Sequence, residues 1–283
     1  VALERANVKV GTYYASEIDR HAIAVSQANY PDIIRLGDVK TIKGSDLPAI
    51  DMLLAGSPCQ GFSKNGTGQG FDHRESCLFW EFIRILREVK PRYWLLENVR
   101  MKKEWSDVIS KELGCEPILL NSSLVSAAVR ERLYWTNIPY SGSPEDKELV
   151  IRDILELPIT SNEGVRQQQI MVVGKSMAET YNGQANRIYG VNGKMATLGK
   201  KAQKIKIGEG DKGWLVPHYS KPVVNRDDWR LLTPVECERM QTLPDNYTSA
   251  ISNKQRYMAL GNGWTVDIIV HLLQGMKKRV CAE

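Results

Sequence analysis

The chain has no cysteine pair at CxxC spacing, no long apolar run and little excess of either charge, and each absence removes a class of protein. Its five cysteines, Cys59, Cys77, Cys115, Cys237 and Cys281, are odd in number and far apart. Neither a zinc ligand set nor a disulfide framework is built that way, so a reducing cytoplasm and no metal are expected. No stretch approaches the roughly 18 apolar residues of a membrane span. The N-terminus also lacks the charged-then-apolar plan of a signal peptide, and no membrane is expected as a partner. Thirty-eight Lys and Arg against thirty-three Asp and Glu leave a formal charge of +5, a mild excess that tolerates a polyanion without demonstrating one. A glycine-rich strand-to-helix turn is missing too. Residues 1–8, VALERANV, read as the end of a helix, and in a doubly wound sheet a helix in that place follows a strand. The expectation is that the first strand and glycine loop of this domain are absent from the sequence, leaving a gap in the sheet and exposed edges beside it.

What is present suits an α/β enzyme. A chain of 283 residues can bury one sizeable core and carry a smaller lobe. Short β-rich runs alternate with helical patterns through the first half, which predicts a parallel sheet covered by helices. The candidate strands are 9–14, 33–36, 52–55, 93–96, 117–120 and 133–137. Leu78, Phe79, Phe82, Ile83, Leu86 and Val89 recur at helical spacing and define a core-facing helix. From Tyr140 the texture changes to a polar linker, and from Thr160 to about Arg226 the chain is rich in Gly, Lys, Gln and Asn without periodicity. Helical logic returns at Thr233, where TPVE supplies an N-cap, a first-position Pro and a Glu three residues after the cap. A last helix starts near Thr265. These signals predict a doubly wound, Rossmann-like domain over 1–150, a small loop-rich lobe with its bracing element over 151–248, and a segment over 249–283 that returns to the first domain.

The sharpest chemical signal is Gly56-Ser57-Pro58-Cys59-Gln60-Gly61-Phe62-Ser63, directly after the apolar run 52–55. Open α/β sheets bind their ligands at the carboxyl ends of strands. Pro58 fixes φ and removes a donor, while Gly56 and Gly61 let the backbone bend around the thiol. An inert buried cysteine is the alternative, and Pro-Cys-Gln between glycines argues against it.

This segment resembles the catalytic loop of the C5-cytosine DNA methyltransferase family. Later blocks agree in family order: Glu97-Asn98-Val99, the arginine pair of Arg130-Glu131-Arg132, the stretch from Arg230 to Thr248, and GNGWTV from Gly261. Together they span nearly the whole chain. Ala128 departs from the Gln of many bacterial members, and VSAAVRERLYW is instead similar to the catalytic domains of animal de novo DNA methyltransferases and to phage relatives.

The resemblance implies S-adenosylmethionine as methyl donor, S-adenosylhomocysteine as product, and a cytosine in double-stranded DNA as acceptor. Cys59 would add to carbon 6 of the flipped base, Glu97 would hydrogen-bond or protonate N3, and Arg130 and Arg132 would complete the catalytic set, with Arg132 on cytosine O2 or nearby phosphates. Glu17, Ile18, Asp38, Val39, Pro58, Leu78, Asn262 and Trp264 would line the donor, with Glu17 on the ribose hydroxyls and Asp38 on the adenine amino group. Gln60, Ser63, Asn186, Arg187, Lys194 and Thr197 are candidates for contacts to DNA. A restriction endonuclease is the companion that the family suggests. Two rivals remain open at this point: a tRNA cytosine-5 methyltransferase, and a DNA-binding relative without catalysis.

Overall fold

A computed structural model describes residues 1–58, 61–62, 70–72, 76–156, 172–176, 187–197, 206–208, 223–224 and 229–279. The opening helix α1 (Ala2–Arg5) ends where Asn7 turns left-handed, φ 55°, and the Val8 N–H reaches back to the Leu3 carbonyl, 2.9 Å. That wrap satisfies carbonyls the helix would otherwise leave open. The strand expected at 9–14 begins only at its last residue: β1 (Tyr14–Ser16) pairs in parallel with β2 (Ile34–Gly37) from Tyr14↔Ile34 onward. A β-rich run becomes a strand only where a neighbour meets its backbone, and here the neighbour starts at Ile34. Between them, α2 (Arg20–Asn29) is capped by Asp19, whose carboxylate accepts from the His21 N–H at 2.8 Å.

The main sheet follows: β3 (Met52–Gly56), α3 (Phe79–Val89), β4 (Tyr93–Val99), α4 (Lys103–Leu113), β5 (Ile118–Asn121), the short β6 (Ala128–Val129) and β7 (Glu131–Thr136). Its order is β3-β4-β7-β5. The expected parallel sheet is in fact mixed, because β7 runs antiparallel to both β4 and β5. The connection 122–130 is too short for the crossover that a parallel pair needs. Among the described residues β1 and β2 form a separate two-stranded sheet, so the doubly wound layer is in two pieces. Val10, Tyr13 and Ile34, large apolar side chains of the smaller piece, are exposed.

Alternation along β4 feeds both faces of the main sheet. Leu95 packs with Tyr134, Ile268, Ile269 and Leu272 on one face, and Leu96 with Phe79, Phe82, Ile83, Ile109 and Trp135 on the other. The first cluster belongs to α7 (Val266–Leu273), which returns to the sheet as the sequence predicts, and the second to α3 and α4.

In the smaller lobe β8 (Val172–Ser176), β9 (Arg187–Gly190), β11 (Lys206–Gly208), β12 (Val223–Val224) and β13 (Trp229–Leu231) form a sheet of order β12-β8-β9-β11-β13, while β10 (Met195–Ala196) pairs in parallel with β6. The stretch expected to be loop-rich thus holds a sheet, whose short strands leave too little alternation to read. Helix α5 (Pro234–Met240) has the expected capping box of Thr233 and Glu236. It joins α6 (Asn253–Asn262) over a core of Tyr189, Met195, Ile207, Leu232, Cys237 and Leu260.

Candidate active site

Register decides which side chains meet at the end of a sheet. Gly56 lies opposite Glu97 in the parallel pair β3–β4, so the turn leaving β3 starts beside the carboxylate near the end of β4. Ser57 and Pro58 continue that turn, and Cys59 follows; Cys59, Gln60 and Ser63 lie outside the described residues, as does Asn186. The turn that leads to Cys59 is defined as far as Pro58. The buried Asn98 side chain donates to Ser57 Oγ at 2.8 Å and accepts from the Val99 N–H at 2.7 Å, tying the turn to β4. Gly56 leaves little space for a side chain: a Cβ there would stand 3.0 Å from the Trp264 indole nitrogen, and the ring would have to give by a few tenths of an ångström. Beyond the cysteine, the Gly70 N–H donates to the Gly61 carbonyl at 3.0 Å, and Phe62 packs edge-on against Phe71 and Trp105.

Glu97 is 8 % exposed and is gripped through both oxygens. Arg132 Nε lies 3.0 Å from Oε1, and the Trp264 indole N–H donates to Oε2 at 3.1 Å. Burial pushes its carboxyl above the ordinary range, while the nearby Arg132 and Arg130 charges and the indole bond pull it back down. A carboxyl held towards its neutral form can donate a hydrogen bond or a proton, which an ordinary surface glutamate at neutral pH cannot. Arg130 is buried, and its guanidinium donates to the carbonyls of Gly261 (3.4 Å) and Gly263 (2.9 Å). The pair thus divides its work: Arg132 meets the carboxylate, and Arg130 holds the turn that leads into Trp264.

The expected donor-lining residues of the smaller sheet lie at its strand ends. Ser16 pairs with Gly37, so Glu17 and Asp38, one residue further on, stand side by side at the carboxyl ends of β1 and β2. Glu17 Oε1 accepts from the Ile18 and Asp19 N–H groups at 2.7 and 2.8 Å, and Asp38 Oδ1 from the Lys40 N–H at 3.0 Å. Ile18 is 73 % exposed, an apolar side chain open at the rim, with Val39 half-buried beside Asp38. Two neighbouring carboxylates beside an open apolar side chain suit a ligand with paired hydroxyls and a flat aromatic ring. Pro58, Leu78 and Trp264 are half-buried and Asn262 is exposed.

Two of the candidate DNA contacts have other work. Lys194 is 1 % exposed and donates to the carbonyls of Ser123, Ser126 and Leu149 at 2.5, 3.2 and 2.8 Å. All three ammonium protons are thus spent inside the protein, which corrects the expectation that this lysine reaches DNA. Thr197 Oγ1 likewise donates to the Val129 carbonyl at 2.7 Å, stapling the lobe to the arginine-bearing segment. Arg187 opens β9. Sequence reading missed the parts of Asn98, of the indole N–H and of Gln241, whose buried amide donates to the Leu260 carbonyl at 2.7 Å. The Glu-Asn-Val string was the available signal for Asn98; the other two depend on contacts no local pattern encodes. Among the described residues, no group of three or more His, Cys, Asp or Glu could hold a metal, and no helix is long and apolar enough to cross a membrane.

Comparison with known proteins gives this site a context. The family model for C-5 cytosine-specific DNA methylase matches residues 1–108 and 130–278. The type II methyltransferase M1.ScrFI of Lactococcus lactis subsp. cremoris is 27 % identical over 302 aligned positions, covering 95 % of this chain and 72 % of its own. M.HhaI of Haemophilus parahaemolyticus is 27 % identical over 297, covering 92 % and 85 %. In fold, the crystal structure of S. pombe Dnmt2 methyltransferase superposes with a TM-score of 0.69 at 19 % identity, over 99 % of this chain and 94 % of that one.

Proposed function

Because the chain belongs to the C-5 cytosine-specific DNA methylase family, and its reaction is therefore S-adenosylmethionine-dependent methylation of cytosine carbon 5 in DNA, we propose that Cys59 is the nucleophile and Glu97 the proton donor to N3, acting on a base flipped out of double-stranded DNA. Carbon 5 of cytosine is a weak nucleophile. Addition of the Cys59 thiolate at carbon 6 turns the ring into an enamine, and the displaced electron density gathers towards N3 and O2. Glu97 meets that charge with a hydrogen bond or proton, and Arg132, in contact with Glu97, adds a positive field. The donor supplies an electrophilic methyl group to carbon 5. A solvent base takes the proton from carbon 5, N3 returns its proton to Glu97, and elimination of the Cys59 thiolate restores the aromatic ring. The thiol must approach the face of the ring, which stacking forbids in a duplex.

The observation that supports this reading most directly is the buried Glu97, paired in register with Gly56 three residues before Cys59 and held by Arg132 at 3.0 Å. Glu17, Ile18, Asp38, Val39, Pro58, Leu78, Asn262 and Trp264 are assigned to the donor from the family's motifs, with Glu17 and Asp38 side by side at neighbouring strand ends. Residues 1–150 form the catalytic and donor-binding part, 151–248 the recognition lobe with its brace, and 249–283 the returning segment. Gln60, Ser63, Asn186 and Arg187 are assigned to DNA, and a restriction endonuclease is the proposed companion.

Cys59→Ser in the full-length enzyme tests the nucleophile. Transfer of labelled methyl to DNA should be lost, while DNA affinity by gel shift stays within about threefold, because only the covalent step is removed. Undiminished turnover in that variant would refute the assignment.

A further inference from the structure

We propose that Trp264 is a positioning residue for Glu97: its indole N–H fixes the orientation of the carboxyl and sets the pH range over which the carboxyl can give a proton to the base. The inference rests on the reading of Glu97 as proton donor and adds how that donor is tuned. The indole nitrogen lies 3.1 Å from Oε2, across 167 residues of sequence, while Arg132 Nε holds Oε1 at 3.0 Å. A carboxyl held through both oxygens has one orientation, and losing either partner frees it to rotate.

The turn that presents the indole is clamped from two sides. Arg130 donates to the carbonyls of Gly261 and Gly263, and Gln241 Nε2 donates to those of Leu260 (2.7 Å) and Gly263 (3.3 Å). Gln241 Oε1 accepts from Thr265 Oγ1 at 2.8 Å, and its carbonyl accepts from the Val266 N–H at 3.0 Å. These bonds fix the short turn on both sides of the ring. Gly56 adds a second limit, since a Cβ there would stand 3.0 Å from the indole nitrogen; the ring is set against the turn that leads to Cys59.

A neutral N–H donor favours the charged carboxylate, as do the guanidinium groups of Arg132 and Arg130, against the burial that favours the acid. Among the described residues, Tyr134, the register partner of Glu97 on β7, is a further titratable group facing it, and burial pushes its phenol up. Removing the indole N–H alone should therefore raise the Glu97 pKa and leave the remaining charges in place.

Trp264→Phe in the full-length enzyme keeps a ring against Gly56 and removes the donor. The alkaline limb of the kcat profile, measured with saturating DNA and S-adenosylmethionine, should move to higher pH. At neutral pH kcat should fall several-fold as the carboxyl loosens. A 13C NMR titration of glutamate side-chain carboxyls, assigned with Glu97→Gln, should show the same upward displacement without reference to activity. A ring that merely lines the donor site would instead raise KM for S-adenosylmethionine and leave both titrations where they were, and that outcome overturns the proposal. Should Trp264→Phe fail to fold, Gln241→Met releases the turn with the indole kept and should move the limb the same way; no movement in that variant counts against the proposal equally. If Glu97→Gln retains full turnover, the proton-donor reading itself falls; if it is inactive and the titrations do not move, only the part given to Trp264 falls.

Discussion

Glu97 lies between two opposing demands, burial that favours the acid and neighbouring positive charge that favours the base, and burial wins. A carboxyl whose folded pKa lies above its unfolded value of about 4.3 keeps a proton that the unfolded chain has already lost. The folded state then binds more protons through that window, so stability falls as pH rises from about 4 to the folded pKa and levels off above it. Thermal unfolding across that range should show this decline in the native enzyme and a flatter profile in Glu97→Gln. The same variant should lose about 100-fold or more in kcat, with donor affinity little changed. Equal pH slopes in the two proteins would mean that the carboxyl is not held towards its acid form. Glu97 was picked out in the sequence only through its place in the Glu-Asn-Val string, and its burial and its grip by Arg132 and Trp264 come from strand pairing and a distant turn. The place of Lys194 was not legible. A lysine in a polar stretch reads as solvated, and its burial depends on carbonyls 71, 68 and 45 residues away, which no local pattern reveals.

The elements that carry these groups are joined by a few non-local polar bonds. Lys194 links the turn between β5 and β6 to Leu149 in the linker, Thr197 ties the residue after β10 to β6, and Ser126 Oγ donates to the carbonyl of Met240 at 2.5 Å, at the end of α5. Together they hold the lobe's brace against the segment that bears Arg130 and Arg132. Lys194→Met should cost about 2–4 kcal/mol, since three buried carbonyls lose their donor, and should lower the melting temperature. If this lysine instead met phosphate, the melting temperature would hold and the salt dependence of DNA binding would weaken. Helices α3 and α5 were readable because amphipathic spacing and a capping box are local. The start of β1, the reversed direction of β7 and the strands of the lobe were not: pairing partners and connection lengths fix them, and their short runs give alternation little room to show.

Across the molecule, the proposed chemistry gathers at the carboxyl ends of two parallel strand pairs. The carboxyl ends of β1 and β2 carry Glu17 and Asp38, those of β3 and β4 lead to Cys59 and Glu97, and helix α7 returns Trp264 to Glu97 while burying Ile268, Ile269 and Leu272 on the sheet. Strand direction was legible in the α/β alternation of the sequence for these two parallel pairs, and the reversed β7 was not. The formal charge of +5 adds a mild attraction for a polyanion. The whole account turns on a sulfur–carbon bond that forms and breaks within each turnover. The most direct measurement is a covalent trap: the full-length enzyme is incubated with S-adenosylmethionine and duplex DNA carrying 5-fluorocytosine at the target, whose fluorine blocks the final elimination. Mass spectrometry should find the DNA attached to the peptide containing Cys59, and no adduct should form in Cys59→Ser; methyl transfer to ordinary DNA without any adduct at Cys59 on the fluorinated duplex would contradict the account.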